Sequence, residues 1–224
     1  RIRSVAETLP EADFEFVFVD DGSRDGTLRI LRELAKEDAR VRYLSFSRNF
    51  GKEAGMLAGL EHAKGDYVAV LDADLQDPPE YFVDMFRILE TGEYDCVNLY
   101  RTDRKGEGRI RSFFSDAFYK IYRKITKIDV RSGARDFRLM TRQVVDCVLS
   151  MPEYNRFTKG IFSWVGFRTK WIGYENVARA AGETKFSFRS LLKYSINGIT
   201  SFSTAPLLLA SGLGVLCCAV SILL

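Results

Sequence analysis

The chain has 224 residues, 46% of them hydrophobic and 28% charged, enough for one α/β domain with a sizeable core. Its 33 Lys and Arg against 30 Asp and Glu leave a net charge of +3, which as a total marks no partner. One histidine (His62) and four cysteines (Cys96, Cys147, Cys217, Cys218), none in a Cys-x-x-Cys pair, leave almost no room for His-based triads, zinc sites or a disulfide framework, so a reducing compartment is the default.

Arg1–Leu9 reads as the tail of a helix. A doubly wound domain places a strand before such a helix, so an N-terminal strand is expected outside this sequence. Phe14–Val19 is a β-rich run closed by Asp20-Asp21-Gly22-Ser23. Ser23 or Asp25 can cap a helix to about Asp38, with Leu28, Leu31 and Leu34 at helical spacing. Val41–Phe46 is the next strand, Gly51–Lys64 a helix ended by Gly65, Tyr67–Leu71 a strand, Pro79–Glu90 a helix and Tyr94–Leu99 a strand. Strands separated by helices of this length predict an α/β fold with a mostly parallel, Rossmann-like sheet flanked by helices. Ligands of such sheets bind beyond the carboxyl ends of the strands, where Asp20, Asp21, Asp72 and Asp74 all fall.

Beyond Leu99 the pattern loosens. Ile110–Ile128 predicts a long helix, Arg135–Met140 a short strand, Thr141–Ser150 a helix and Phe167–Tyr174 a strand. From Arg101 to Arg142 there are thirteen Lys/Arg and five Asp/Glu, a basic island suited to nucleic acid, anionic lipid or a phosphorylated substrate. Phe186–Phe202 sets Arg189 and Lys193 among Phe, Leu and Ile, with Lys185 just before it, a pattern for a helix on an anionic membrane surface. No charge occurs from Tyr194 to Leu224. The run after Pro206 is the start of a membrane span, which takes roughly 20 residues, and the basic residues before it place that side in the cytoplasm. The expected organisation is a catalytic domain over 1–185, a juxtamembrane amphipathic helix over 186–203 and a truncated transmembrane segment over 204–224.

Three strand ends could carry chemistry. Asp72 and Asp74 stand at i and i+2 where the apolar Tyr67–Leu71 run stops, ahead of Gln76, Asp77, Pro78 and Pro79. Once the backbone bends, that spacing can aim both carboxylates at one divalent ion, and magnesium shares its shell with substrate phosphates. The same run also serves as a solvated acidic turn. Asp20 and Asp21 can accept hydrogen bonds from a nucleobase or ribose, and they also suit a plain turn and helix cap. Arg48 and Lys52 open the next helix near a second strand end. Arg135-Asp136-Phe137-Arg138 puts one acid between two arginines, which either an ion-pair network or a ligand must satisfy. Asn155–Gly160 and Arg179–Lys185 read as basic loops able to close over a diphosphate.

Asp20-Asp21-Gly22-Ser23, Ser47–Gly51, Asp72-Ala-Asp74-Leu-Gln76-Asp77-Pro-Pro, Arg135-Asp136-Phe137-Arg138-Leu139 and Gly182-x-Thr184-Lys185-Phe186 together resemble the family 2 glycosyltransferases of the GT-A fold. Within them the closest look is to the polyisoprenyl-phosphate glycosyltransferases, such as bactoprenol glucosyltransferases and dolichol-phosphate mannose synthases. The resemblance runs from about Phe14 to the membrane segment. One departure is the Pro-x-Tyr-Asn-Glu strand that contacts the nucleotide in that family and does not occur in this sequence.

The resemblance implies inverting transfer of a sugar from a nucleotide-diphosphate donor, with UDP-glucose first and GDP-mannose or UDP-aminoarabinose open, to a polyisoprenyl phosphate at the cytoplasmic membrane. It implies Mg²⁺ or Mn²⁺ on Asp72 and Asp74, with Gln76 as an added ligand. Asp20, Asp21, Lys52, Asp72, Arg179 and Lys185 would meet the donor. Asp136 would act as base with Arg138 beside it, and Arg101, Arg111 and Arg135 would hold the acceptor phosphate. A processive polysaccharide synthase shares the fold, but its Gln-x-x-Arg-Trp motif starts at neither Gln76 nor Gln143. A non-catalytic, membrane-docked basic module, a nucleic-acid binder included, is the alternative from another class. Self-association into a homo-oligomer stays open.

Overall fold

The computed structural model describes residues 1–74, 76–102, 120–128, 130, 131, 133–151, 153, 156–175 and 188–223. In chain order the elements are α1 (Ile2–Glu7), β1 (Phe16–Asp20), α2 (Thr27–Glu37), β2 (Val41–Ser45), α3 (Lys52–His62), β3 (Tyr67–Val70), α4 (Tyr81–Glu90), β4 (Cys96–Arg101), helical residues 120–126 (α5), β5 (Ala134–Thr141), α6 (Arg142–Leu149), α7 (Thr158–Trp164), β6 (Thr169–Tyr174), α8 (Phe188–Phe202) and α9 (Ala205–Leu223). They divide into two compact units. One comprises Arg1–Gly106, Gly133–Pro152 and Val165–Gly182, the other Glu107–Ser132, Glu153–Trp164 and Glu183–Leu224.

In the first unit the described strands form two sheets. β1 and β2 pair in parallel, with Phe16 opposite Val41 and Asp20 opposite Ser45. The other sheet runs β3-β5-β4-β6. β5 is antiparallel to both β3 and β4, while β4 and β6 are parallel, so three strands share one direction and β5 opposes them. Its direction follows from where the chain returns: the Arg101 N–H, at the end of β4, donates to Gly133 O at 3.1 Å. β5 therefore starts at the edge where β4 finishes. Arg138 is the partner of Val70 on one side and of Asn98 on the other.

Alternation along β5 sorts its side chains between two faces. Phe137 and Leu139 join Met85, Phe86 and Leu89 of α4, Val97 and Leu99 of β4, Leu9 and Tyr174 in one buried cluster. Asp136 and Arg138 consequently project from the opposite face. The α6 helix buries Val144, Val145 and Val148. Arg142, its first residue, turns back on the end of α3, where its guanidinium donates to Ala63 O at 2.9 Å and Gly65 O at 2.7 Å. A cation on terminal carbonyls satisfies orphan acceptors and complements the helix dipole.

In the second unit Tyr122, Ile128, Val130 and Phe157 form a small core, packed by Ile199 and Phe202. Asn155–Gly160, expected as a loop, instead leads into α7, which starts at the buried Thr158. The helical spacing of Phe157 and Ile161 was the overlooked signal. At Gly160 a Cβ would stand 2.5 Å from the Phe202 ring and 2.7 Å from that of Phe157, so a larger residue would split this core. The long helix expected over Ile110–Ile128 is seen at 120–126; its earlier part lies outside the described residues. α9 spans 19 residues without a buried side chain. Leu207 is 71% and Ile222 85% exposed. At 1.5 Å per residue such a helix approaches the hydrocarbon thickness of about 30 Å, and it is long and apolar enough to cross a membrane.

Arg142→Ala should destabilise the first unit by about 2 kcal/mol, the worth of charged hydrogen bonds to backbone carbonyls. Thermal unfolding of the purified variant checks this, and an unchanged midpoint would show that Arg142 does not anchor α3.

Candidate active site at the strand ends

The four acidic positions at the strand ends are held in different ways. Asp20 is 3% exposed. It accepts from the Ser23 N–H at 3.1 Å and from Ser45 Oγ at 3.0 Å. The Ser23 hydrogen bonds, with help from Ser45, hold its carboxyl below the usual carboxylate range against the effect of burial. Asp21 spans to the start of α3, accepting from the Phe50 N–H at 2.6 Å and the Gly51 N–H at 2.9 Å. Gly22 has φ +67°, and a Cβ there would stand 2.4 Å from the Arg48 carbonyl carbon. The loops after β1 and β2 thus touch through backbone. Arg48 lies over the Phe50 ring, 4.0 Å from its centroid.

Lys52 connects two strand ends. Its ammonium donates to Asp72 Oδ2 at 2.7 Å and to Asp136 Oδ2 at 2.5 Å. Continuing the register of β3 and β5 past Val70 and Arg138 sets Asp72 opposite Asp136, which is why one side chain reaches both. Burial opposes charge on Lys52, but Asp136 and Asp72 outweigh it and raise its pKa above the ordinary lysine value. Arg138 is 3% exposed, and its guanidinium donates to Asp136 O and Arg135 O, each at 3.3 Å. Arg138 thus braces the backbone at the start of β5.

The loop after β3 passes to the other face. Asp74 accepts from the Gln76 N–H at 3.1 Å. Asp77 is fully buried, accepts from Arg135 Nε at 2.7 Å and accepts a hydrogen bond from the Tyr174 hydroxyl. Gln76 Oε1 lies 3.5 Å from Arg135 Nη2. Burial, then donation to Asp77, pushes the Tyr174 phenol up to about 12, and Arg101 interacts with the same hydroxyl. Arg101 and Arg135 are therefore brought together, on the face away from Asp136. The expected cluster of Arg135, Asp136 and Arg138 is divided by strand alternation: Asp77 takes Arg135, and Lys52 takes Asp136. Arg111, Arg179 and Lys185 lie outside the described residues. Asp77 and Tyr174 were not among the expected site residues. Their signal was weak, a carboxylate before Pro78-Pro79 and a tyrosine closing a strand.

Among the described residues no three His, Cys, Asp or Glu side chains converge on a metal position. Magnesium and manganese fit a sparser set, because substrate phosphates complete their shell. Asp72 already holds a cationic atom, and Asp74 stands two residues on, so these donors suit such an ion. His62 is exposed on the last turn of α3, with Nδ1 2.9 Å from Ala58 O. Cys96 is buried, its thiol donating to Asn98 Oδ1 at 3.0 Å, and burial pushes it up to about 12; it is no nucleophile.

The fold is that of GT-A-like glycosyltransferases, and solved structures share it. Mannosyl-3-phosphoglycerate synthase from Rubrobacter xylanophilus superposes with a TM-score of 0.55 at 16% identity, over 90% of this chain and 67% of its own. Glucosyl-3-phosphoglycerate synthase from Mycobacterium tuberculosis, solved with Mn²⁺ and UDP-glucose, gives 0.53 at 19% identity, over 87% and 69%. Residues 1–149 match Glycosyl transferase family 2, and the chain belongs to that family. The bactoprenol glucosyl transferase of Shigella phage SfV is 41% identical over 99% of this chain and 72% of its own length. The prophage bactoprenol glucosyl transferase homolog of Escherichia coli K12 is 42% identical over 96% and 70%. The chain spans only 64% and 66% of the Bacillus subtilis relatives CsbB and YkcC.

Asp77→Asn should cost about 3 to 5 kcal/mol, because it leaves Arg135 without its buried counter-charge. Chemical denaturation of the variant measures this, and a loss below about 1 kcal/mol, the scale of a surface pair, would contradict a structural clamp.

Proposed function

We propose that this chain is the catalytic part of an enzyme that moves a sugar from a nucleotide-diphosphate donor, UDP-glucose by preference, to a polyisoprenyl phosphate at the cytoplasmic face of the membrane. The observation that carries it is the pairing of Asp72 with Asp136 across two strand ends, in a family 2 chain that also holds a membrane-length apolar helix. The relatives named for bactoprenol supply the acceptor class, and a lipid acceptor requires an active site at the bilayer surface.

In this reading an acceptor phosphate oxygen attacks the anomeric carbon, the bond to the donor diphosphate breaks with its electron pair, and configuration inverts. A phosphate monoester has a second pKa of about 6, so the nucleophile is largely ionised and needs only mild general-base help. Asp136 takes the residual proton. Arg138 supports Asp136 from behind by fixing the β5 backbone. Arg111 is assigned to the acceptor phosphate, whereas Arg101 and Arg135, gathered around Tyr174 and Asp77 on the other face, brace the loop after β3. Asp20 and Asp21 shape the donor end, and their engaged carboxylates support a role in forming the pocket wall there. Lys52, Arg179 and Lys185 are assigned to the donor diphosphate. Asp72 and Asp74 would hold Mg²⁺ or Mn²⁺, which would neutralise charge on the departing diphosphate, while the Gln76 amide oxygen is turned to Arg135.

A donor screen on the full-length protein in lipid, with polyprenyl phosphate as acceptor, should give sugar-lipid from UDP-glucose. EDTA should stop the reaction, and Mn²⁺ or Mg²⁺ should restore it. Asp74→Asn should abolish transfer while leaving the circular dichroism spectrum intact. Normal turnover by that variant would remove the metal site, and no product from any nucleotide sugar would remove the proposal.

A further inference from the structure

Lys52 occupies a particular place. It opens α3, its side chain is 38% exposed, and its single ammonium lies on carboxylates from two different strands. Asp72 and Asp136 both lie within 2.7 Å of one ammonium, and two like charges so close repel unless a cation lies between them. Lys52 is that cation.

We propose that Lys52 is a resident counter-cation that holds the position at Asp72 which a divalent ion takes when donor arrives, so that ion and diphosphate bind as a pair and the ion alone binds poorly. The proposal rests on the assignment of Asp72 as a metal ligand. Lys52 holds Asp72 Oδ2 at 2.7 Å, and a divalent ion on the same carboxylate, even one bound through Oδ1, would stand close to the ammonium and be repelled by it. Entry of the ion is therefore opposed for as long as Lys52 stays on Asp72, and is eased when Lys52 moves off. The flexible four-carbon stem allows that movement. Asp136 keeps hold of the ammonium, and a diphosphate oxygen offers it a new partner. Without a nucleotide, departure from Asp72 has no compensation, and the ion is kept out.

The test is titration of the intact chain in detergent with Mn²⁺, followed by electron paramagnetic resonance, with and without UDP. Lys52→Met keeps the stem and removes the charge. It should raise nucleotide-free Mn²⁺ affinity about tenfold and shrink the gain from UDP by a similar factor, within the usual range of coupling between two ligands. Should Lys52→Met not fold, by circular dichroism, Lys52→Gln carries the same expectation. A neutral, folded variant that binds Mn²⁺ without UDP no more tightly than the wild type overturns the proposal. A wild-type chain that binds no Mn²⁺ even with UDP overturns the metal assignment itself, and the Lys52 proposal falls with it.

Discussion

The register of β5 between its two neighbours is the constraint on which the site depends. Arg138 faces Val70 on one side and Asn98 on the other. That single alignment puts Asp136 level with Asp72, sends Phe137 and Leu139 into the α4 core, and leaves Arg135 on the core side to meet Asp77. Side chains alternate with a period of two, so a slip by one residue would exchange the faces. It would bury Asp136 among Met85 and Leu89 and expose Phe137. The hydrophobic penalty for that slip fixes the positions of the charged groups more firmly than their own attractions do.

Around this frame the charges pair locally. Asp20 serves the turn after β1, and Asp21 caps the start of α3, so the loops after the first two strands form one body. Arg142 closes the far end of the same helix. α3 is thereby tied at both ends, and Lys52, on its first turn, is delivered to a fixed place above two carboxylates. Three ion contacts distant in sequence thus converge on one short helix whose own apolar face is weak: it buries only Leu60.

Much of the fold was legible in the sequence because its signals are local. The apolar runs before Asp20 and Asp72 became β1 and β3, and α3 appeared within two residues of its expected ends, while α2 starts at Thr27 after an N-cap at Gly26 rather than at the expected Ser23 or Asp25. The ends of β1 and β3 belong to different sheets, and both reach the start of α3, through Asp21 on the Gly51 N–H and Asp72 on Lys52. The antiparallel insertion of β5 was not legible, since its run of alternating charge and apolar residues fits either direction. Nor were the partners of each charge. Lys52 is 20 residues from Asp72 and 84 from Asp136, and only the folded register joins them. Adjacency in sequence likewise could not show that Arg135 faces Asp77 while Asp136 and Arg138 share the other face of β5.

Asp72 is held by Lys52 on one face, and Asp77 by Arg135 and Tyr174 on the other. The two anchors differ in kind: Asp77 is fully buried, while the ammonium that holds Asp72 is partly exposed. Losing the Asp77 carboxylate would therefore register first as lost stability, and losing that of Asp72 first as an unbalanced positive charge at the strand edge.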